Sequence, residues 1–297
     1  MNSRPLSGCG TALVTPFTRH GRVDEQALRA LVEWQVAEGI HFVVPCGSTG
    51  EAATLSLDEH ARVVAITAEQ VAGRVPVVAG AGSNDTQKAI ALSHAMRRAG
   101  ATHLLHVSPM YNKPQQRGIV AHFRAIADAV DLPIVVYNVP GRTASNIEAR
   151  TALELAAIPG IIGIKEASGN LGQIGEILRE RPSSFAVLSG DDAFTLPVMA
   201  LGGEGVISVV SNATPRRMAA LVDACAAGDV GAARVIHRQL LPWMSAAFVE
   251  ANPAPVKAAL AMMGRIENVL RLPLVPLADS LTSTVYSALV SAGALES

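Results

Sequence analysis

Eight short runs of consecutive apolar, mostly β-branched residues recur along the first 210 residues, at 10–14, 42–45, 76–79, 102–107, 133–137, 161–165, 185–188 and 205–210. None alternates with polar residues. Strands covered on both faces read this way, which predicts a parallel sheet layered against helices. Helical signals fill the intervals. After Asp24 the residues Leu28, Leu31, Val32 and Val36 follow the helical period, and the pattern stops at Gly39. Ser56-x-x-Glu59 and Asn84-x-x-Gln87 read as capping boxes, each predicting a helix start. At about 25–30 residues per strand–helix unit, eight units predict an α/β fold, a (β/α)8 TIM barrel, with a doubly wound open sheet as the alternative.

From about Gly228 the strand pattern ends, and 230–249, 256–263 and 277–289 predict helices. The expected organisation is a (β/α)8 barrel carrying the active site over 1–228 and a C-terminal helical domain over 229–297. Pro and Gly are scattered singly, with no Ser/Gly/Pro linker or charge block between the two parts, so they are expected to be contiguous.

Composition narrows the function. Of 297 residues 49% are hydrophobic and 16% charged, which suits a large core and excludes a disordered chain. The 24 Lys and Arg nearly balance the 25 Asp and Glu, so there is no net field to gather nucleic acid or an anionic membrane. Cys9, Cys46 and Cys225 are widely spaced and form no C-x-x-C, which fits a reducing compartment and predicts a cytoplasmic protein. Residues 1–10 lack the apolar stretch of a signal peptide, and no run reaches the roughly 18 apolar residues of a membrane span.

In a barrel of this kind the chemistry gathers where strands run into the following loops. The second run ends in Cys46-Gly47-Ser48-Thr49-Gly50-Glu51, whose backbone N–H groups suit an anion nest, or form an ordinary turn. The fourth ends in Ser108-Pro109-Met110-Tyr111-Asn112-Lys113-Pro114 and the fifth in Tyr137-Asn138-Val139-Pro140-Gly141-Arg142. Lys165 closes the buried run Ile161-Ile162-Gly163-Ile164, where burial disfavours the ammonium and makes the amine a nucleophile for carbonyl substrates. A structural ion pair with Glu166 is the other reading. Tyr137, on the neighbouring strand, is either a packed aromatic or the proton donor and acceptor that carbinolamine chemistry needs. Arg142 offers a planar fork for a carboxylate, or is a solvated loop residue. Metal and dinucleotide chemistry have less support: His103 and His106 fall on opposite faces of a strand, and Gly80-Ala81-Gly82 lacks the fingerprint spacing. No cofactor or metal is expected.

Taken together, these segments resemble the dihydrodipicolinate synthase/N-acetylneuraminate lyase family almost end to end. The resemblance rests on Thr15-Pro16-Phe17, Gly47 to Glu51, Tyr111-Asn112-Lys113-Pro114, Tyr137 to Thr143, and Gly163-Ile164-Lys165-Glu166-Ala167-Ser168-Gly169. It extends through Gly190-Asp191-Asp192, Gly205-Val206-Ile207-Ser208, Asn252-Pro253 with Pro255-Val256-Lys257, and Arg271-Leu272-Pro273. It implies that Lys165 forms a Schiff base with pyruvate and that Tyr137 transfers protons beside it. Thr49 would link Tyr137 to Tyr111, which in this family enters the neighbouring subunit's site. Ser48, where the family often has threonine, and Thr49 would hold the pyruvate carboxylate, Arg142 that of aspartate semialdehyde, and the carbonyls of Gly190 and Ile207 would line the floor. A homotetramer built as a dimer of dimers is implied as well.

Pro140-Gly141-Arg142-Thr143 resembles the version of that loop that receives a small aldehyde with an α-carboxylate, although sugar-acid aldolases of the family share the Lys165 and Tyr137 chemistry. A pyruvate-binding sensor without turnover is the alternative from another class. The resemblance also implies weak inhibition by L-lysine. Lysine-sensitive members have glutamate at the position of Lys88, tyrosine at Met110 and histidine at Leu57, while His60 and Asn84 are kept.

Overall fold

The computed structural model describes residues 6–296. The expectation about residues 1–10 therefore falls partly outside it. Eight strands form one parallel sheet: β1 (Gly8–Ala12), β2 (Phe42–Val44), β3 (Val78–Gly80), β4 (His103–Val107), β5 (Ile134–Asn138), β6 (Ile161–Glu166), β7 (Ala186–Ser189) and β8 (Gly205–Ser208). β8 lies beside β1, and a parallel bridge between Val43 and Val77 joins β2 to the lead-in of β3. The sheet thus closes on itself, which decides for the barrel over the open sheet.

The helices of the ring are α1 (Glu25–Ala37), α2 (Leu57–Val71), α3 (Thr86–Arg98), α4 (Gln116–Ala129), the single turn α5 (Pro140–Thr143), α6 (Ala149–Ala156), α7 (Leu171–Glu180), α8 (Thr195–Ala200) and α9 (Pro215–Ala226). Asp24 caps α1 by accepting the Ala27 N–H, and Ser56 with Glu59 forms the expected capping box of α2. The start of α3 differs from the expectation at Asn84. Asp85 is the cap, its Oδ1 accepting the Lys88 N–H at 3.0 Å, because Asn84 turns its amide to the Met110 carbonyl instead. After the barrel come α10 (Val230–Ala246), α11 (Ala254–Met262) and α12 (Thr282–Ser291).

Two apolar layers hold the barrel. Inside, Ala12, Phe42, Val44, Val78, Leu105, Val135, Tyr137, Leu188 and Ile207 pack together; outside, the alternate strand positions meet the helices. The outer layer runs on without a break into Leu240, Trp243, Val256, Leu260, Val285 and Leu289 of the last three helices. Trp243 anchors that join by donating its indole N–H to the Val210 carbonyl at 3.2 Å. Among the described residues no helix is long and apolar enough to cross a membrane.

Candidate active site

Lys165 and Tyr137 are direct register partners on β6 and β5, so both side chains enter the barrel at the same level. The Lys165 ammonium lies 4.2 Å from the centroid of the Tyr137 ring. Both residues are buried. Burial brings Lys165 down to about 8, with the nearby charge of Asp192 opposing the shift and that of Arg142 adding to it. Tyr137 is pushed up to about 12, chiefly by the same burial. It is therefore a neutral phenol beside an amine that loses its proton near neutral pH.

The ion-pair reading of Lys165 is excluded by Glu166, which faces the other side of the strand. There its carboxylate accepts from the Asn138 amide at 3.0 and 3.2 Å, the Ser168 N–H at 2.7 Å and the Gln173 amide at 3.1 Å. Gly190, at the exit of β7, is required by the path of the lysine. A Cβ there would stand 3.0 Å from the Lys165 Cε and 2.7 Å from the Ala167 Cβ, closer than side-chain carbons pack. Ile207, on β8, belongs to the interior apolar layer.

The loop after β2 is held in an uncommon shape. Cys46 and Glu51 at its ends both have left-handed backbones, with φ of 57° and 54°. Between them Ser48 is exposed and Thr49 buried, and among the described residues the N–H groups of both donate to no acceptor. Free N–H groups in a tight turn suit a carboxylate. The Thr49 hydroxyl accepts from the Asn252 amide at 2.9 Å and makes no hydrogen bond with Tyr137. Arg142 is exposed on α5, near enough for its charge to act on both Lys165 and Tyr137.

Tyr111 is not brought to this site by its own chain. It is 88% exposed, with a left-handed backbone of φ 74°. Its loop is braced by a reciprocal pair in which the Asn84 amide donates to the Met110 carbonyl and the Asn112 amide to the Asn84 carbonyl. Lys88 and Leu57 are exposed, on α3 and α2.

Several residues without an assigned role in the sequence bear on the site. Glu51 pairs with Lys257 of α11 at 2.5 Å, both fully buried at their side chains, and accepts the Arg271 N–H at 3.1 Å. Lys257 also donates to the Val269 carbonyl at 2.8 Å and stands 4.1 Å over the Phe17 ring. Burial lowers it to about 8 against the raising charge of Glu51. Asp192, fully buried, accepts the Val209 and Val210 N–H groups at 3.0 and 3.3 Å and is raised to about 6 by burial. Among the described residues no group of three or more His, Cys, Asp or Glu is placed to hold a metal ion.

A profile of the dihydrodipicolinate synthetase family matches residues 5–292. The chain belongs to that family. A 4-hydroxy-tetrahydrodipicolinate synthase of Koribacter versatilis is 53% identical over 292 residues, covering 98% of this chain and 97% of the relative. The solved structure of the chloride-inhibited dihydrodipicolinate synthase of Acinetobacter baumannii, complexed with pyruvate, superposes with a TM-score of 0.96 at 40% identity, covering 97% of this chain and 99% of that one. That of the family member from Cyanidioschyzon merolae with lysine bound gives 0.95 at 41% identity, covering 99% and 100%.

Proposed function

We propose that the protein is a 4-hydroxy-tetrahydrodipicolinate synthase, a lyase of the Schiff-base aldolase type that condenses pyruvate with L-aspartate 4-semialdehyde in lysine and diaminopimelate biosynthesis. The observation that carries this reading is the buried Lys165 amine lying against Tyr137 at the mouth of the barrel, in a chain half identical to relatives of that name over its whole length. With Lys165 at about 8, roughly a quarter of the molecules hold the neutral amine at pH 7.5. Its lone pair attacks the keto carbon of pyruvate. The nitrogen gives up a proton in reaching the carbinolamine, and the oxygen takes two in all, one replacing that from the nitrogen and one more from the site, before it leaves as water; Tyr137 is the group at hand to relay them. Loss of a methyl proton from the resulting imine gives an enamine, whose carbon attacks the aldehyde of the semialdehyde while the aldehyde oxygen is protonated. Attack of the semialdehyde's amino group on the imine carbon then returns Lys165 as the free amine.

Ser48 and Thr49 hold the pyruvate carboxylate through the loop's free N–H groups and hydroxyls, and Gly190 and Ile207 line the floor with their carbonyls. Arg142 takes the carboxylate of the semialdehyde. Tyr111, a large aromatic left almost wholly exposed on a strained turn, completes the site of a neighbouring subunit through Thr49, in a homotetramer assembled as a dimer of dimers. The same reading places the active site within residues 1–228, with 229–297 as a helical domain behind it, and the protein in the cytoplasm, where the free thiols of Cys9, Cys46 and Cys225 stay reduced. The deciding assay supplies pyruvate with aspartate semialdehyde, and in parallel reactions sialic acid and 2-keto-3-deoxy sugar acids. Turnover of the semialdehyde at the highest kcat/KM supports the reading, and preference for a sugar acid overturns it.

A further inference from the structure

We propose that Asn252, in the segment between α10 and α11, is a positioning residue that turns the Thr49 hydroxyl into a proton donor for the catalytic mouth. A hydroxyl has one proton and two lone pairs. The Asn252 Nδ2 donates to Thr49 Oγ1 at 2.9 Å, with both residues buried, so one lone pair is occupied and the hydroxyl proton is directed away from Asn252. Among the described residues no other side-chain or backbone group takes that proton. The opposite orientation of the amide is disfavoured by what surrounds it. Asn252 Oδ1 is buried without a partner, and turning the group over would bury an unmet NH2 in place of an unmet carbonyl, which protein interiors tolerate less well.

The same stretch of chain grips the loop a second time. Five residues beyond Asn252, Lys257 pairs with Glu51, two residues beyond Thr49, and Lys257 is itself tied to the Val269 carbonyl. The C-terminal helices therefore set both the position of the loop after β2 and the direction in which its buried hydroxyl points. A reversal of that direction would leave Thr49 in place but give its proton to the wrong group. The inference rests on the function proposed above, because it concerns proton transfers at Lys165.

The experiment is a double-substitution cycle on kcat with pyruvate and aspartate semialdehyde, using Thr49→Val, Asn252→Ala and the pair. Borohydride trapping of the wild-type pyruvate adduct comes first; its absence overturns the functional reading itself, and a wild type that forms the adduct and turns over leaves the cycle to judge Asn252. Positioned acid–base groups contribute on the order of a hundredfold or more, so loss of the orienting amide lowers kcat about tenfold or more. The expected result is that Asn252→Ala has no further effect in the Thr49→Val background. Losses that multiply, or a Thr49→Val enzyme with wild-type kcat, overturn the proposal. Asn252→Asp keeps the size of the side chain but only accepts hydrogen bonds, so it captures the Thr49 proton and lowers kcat to the Thr49→Val level with a changed solvent deuterium isotope effect. Wild-type kcat in that variant also overturns it.

Discussion

Replacing Lys257 with methionine removes the ammonium that pairs directly with Glu51 inside the protein and leaves it the more distant charge of Arg271. The two side chains are fully buried and 2.5 Å apart, and what remains for the carboxylate is the Arg271 N–H at 3.1 Å. Breaking a buried pair by removing one partner destabilises by about 3–5 kcal/mol. The lost hydrogen bond to the Val269 carbonyl adds about 1 kcal/mol. Urea unfolding at fixed protein concentration, compared with the wild type, measures the loss directly. Lys257→Met should lose about 4–6 kcal/mol, and adding Glu51→Gln should restore most of it. A loss under about 1 kcal/mol, or no recovery in the double variant, would refute this reading of the pair.

Three further predictions follow the chemistry of the mouth. Adduct formation with pyruvate should rise with pH and level off above about 8, where Lys165 has lost its proton; a rate flat from pH 6 to 9 would mean that its amine is already neutral at the lower end. Arg142→Ala, which removes a bidentate charged contact of about 2–4 kcal/mol, should lower kcat/KM for the semialdehyde on the order of 30- to 1,000-fold while pyruvate trapping persists, and equal loss of both would make the residue structural. L-lysine at about ten millimolar should inhibit poorly in initial-rate assays, because two like charges about 4 Å apart repel by roughly 4 kcal/mol at an effective dielectric near 20, and Lys88 presents a cation, with Leu57 and Met110 offering no polar contact. Clear inhibition at sub-millimolar lysine would contradict that.

The barrel was legible in the sequence because a parallel strand buried on both faces has no polar alternation to confuse it. The run at 161–165 stops one residue short of the end of β6, and that at 133–137 is offset from β5 by one residue at each end. Strands whose inner face is glycine drift further: β1 begins at Gly8 and β3 ends at Gly80, residues without a hydrophobic side chain to mark them. Asn84 and Asp85 are both competent caps, and only the position of Met110, brought over by a different loop, decides which one is free to act. Lys165 and Tyr137 were readable because each closes an apolar run and chain register delivers both to one level. The contacts of Asn252 with Thr49 and of Lys257 with Glu51 join positions about two hundred residues apart, and no local pattern carries such a pairing. Their only local mark is that Asn252 and Lys257 are the two polar residues flanking Pro253-Ala254-Pro255-Val256.

A covalent imine of pyruvate on Lys165 is trapped by borohydride, and peptide mass mapping after incubation with both reads where it forms. One reduced pyruvate per chain is expected, on Lys165, and none in Lys165→Ala. Labelling of a different lysine, or no labelling of the folded wild-type protein, would contradict it.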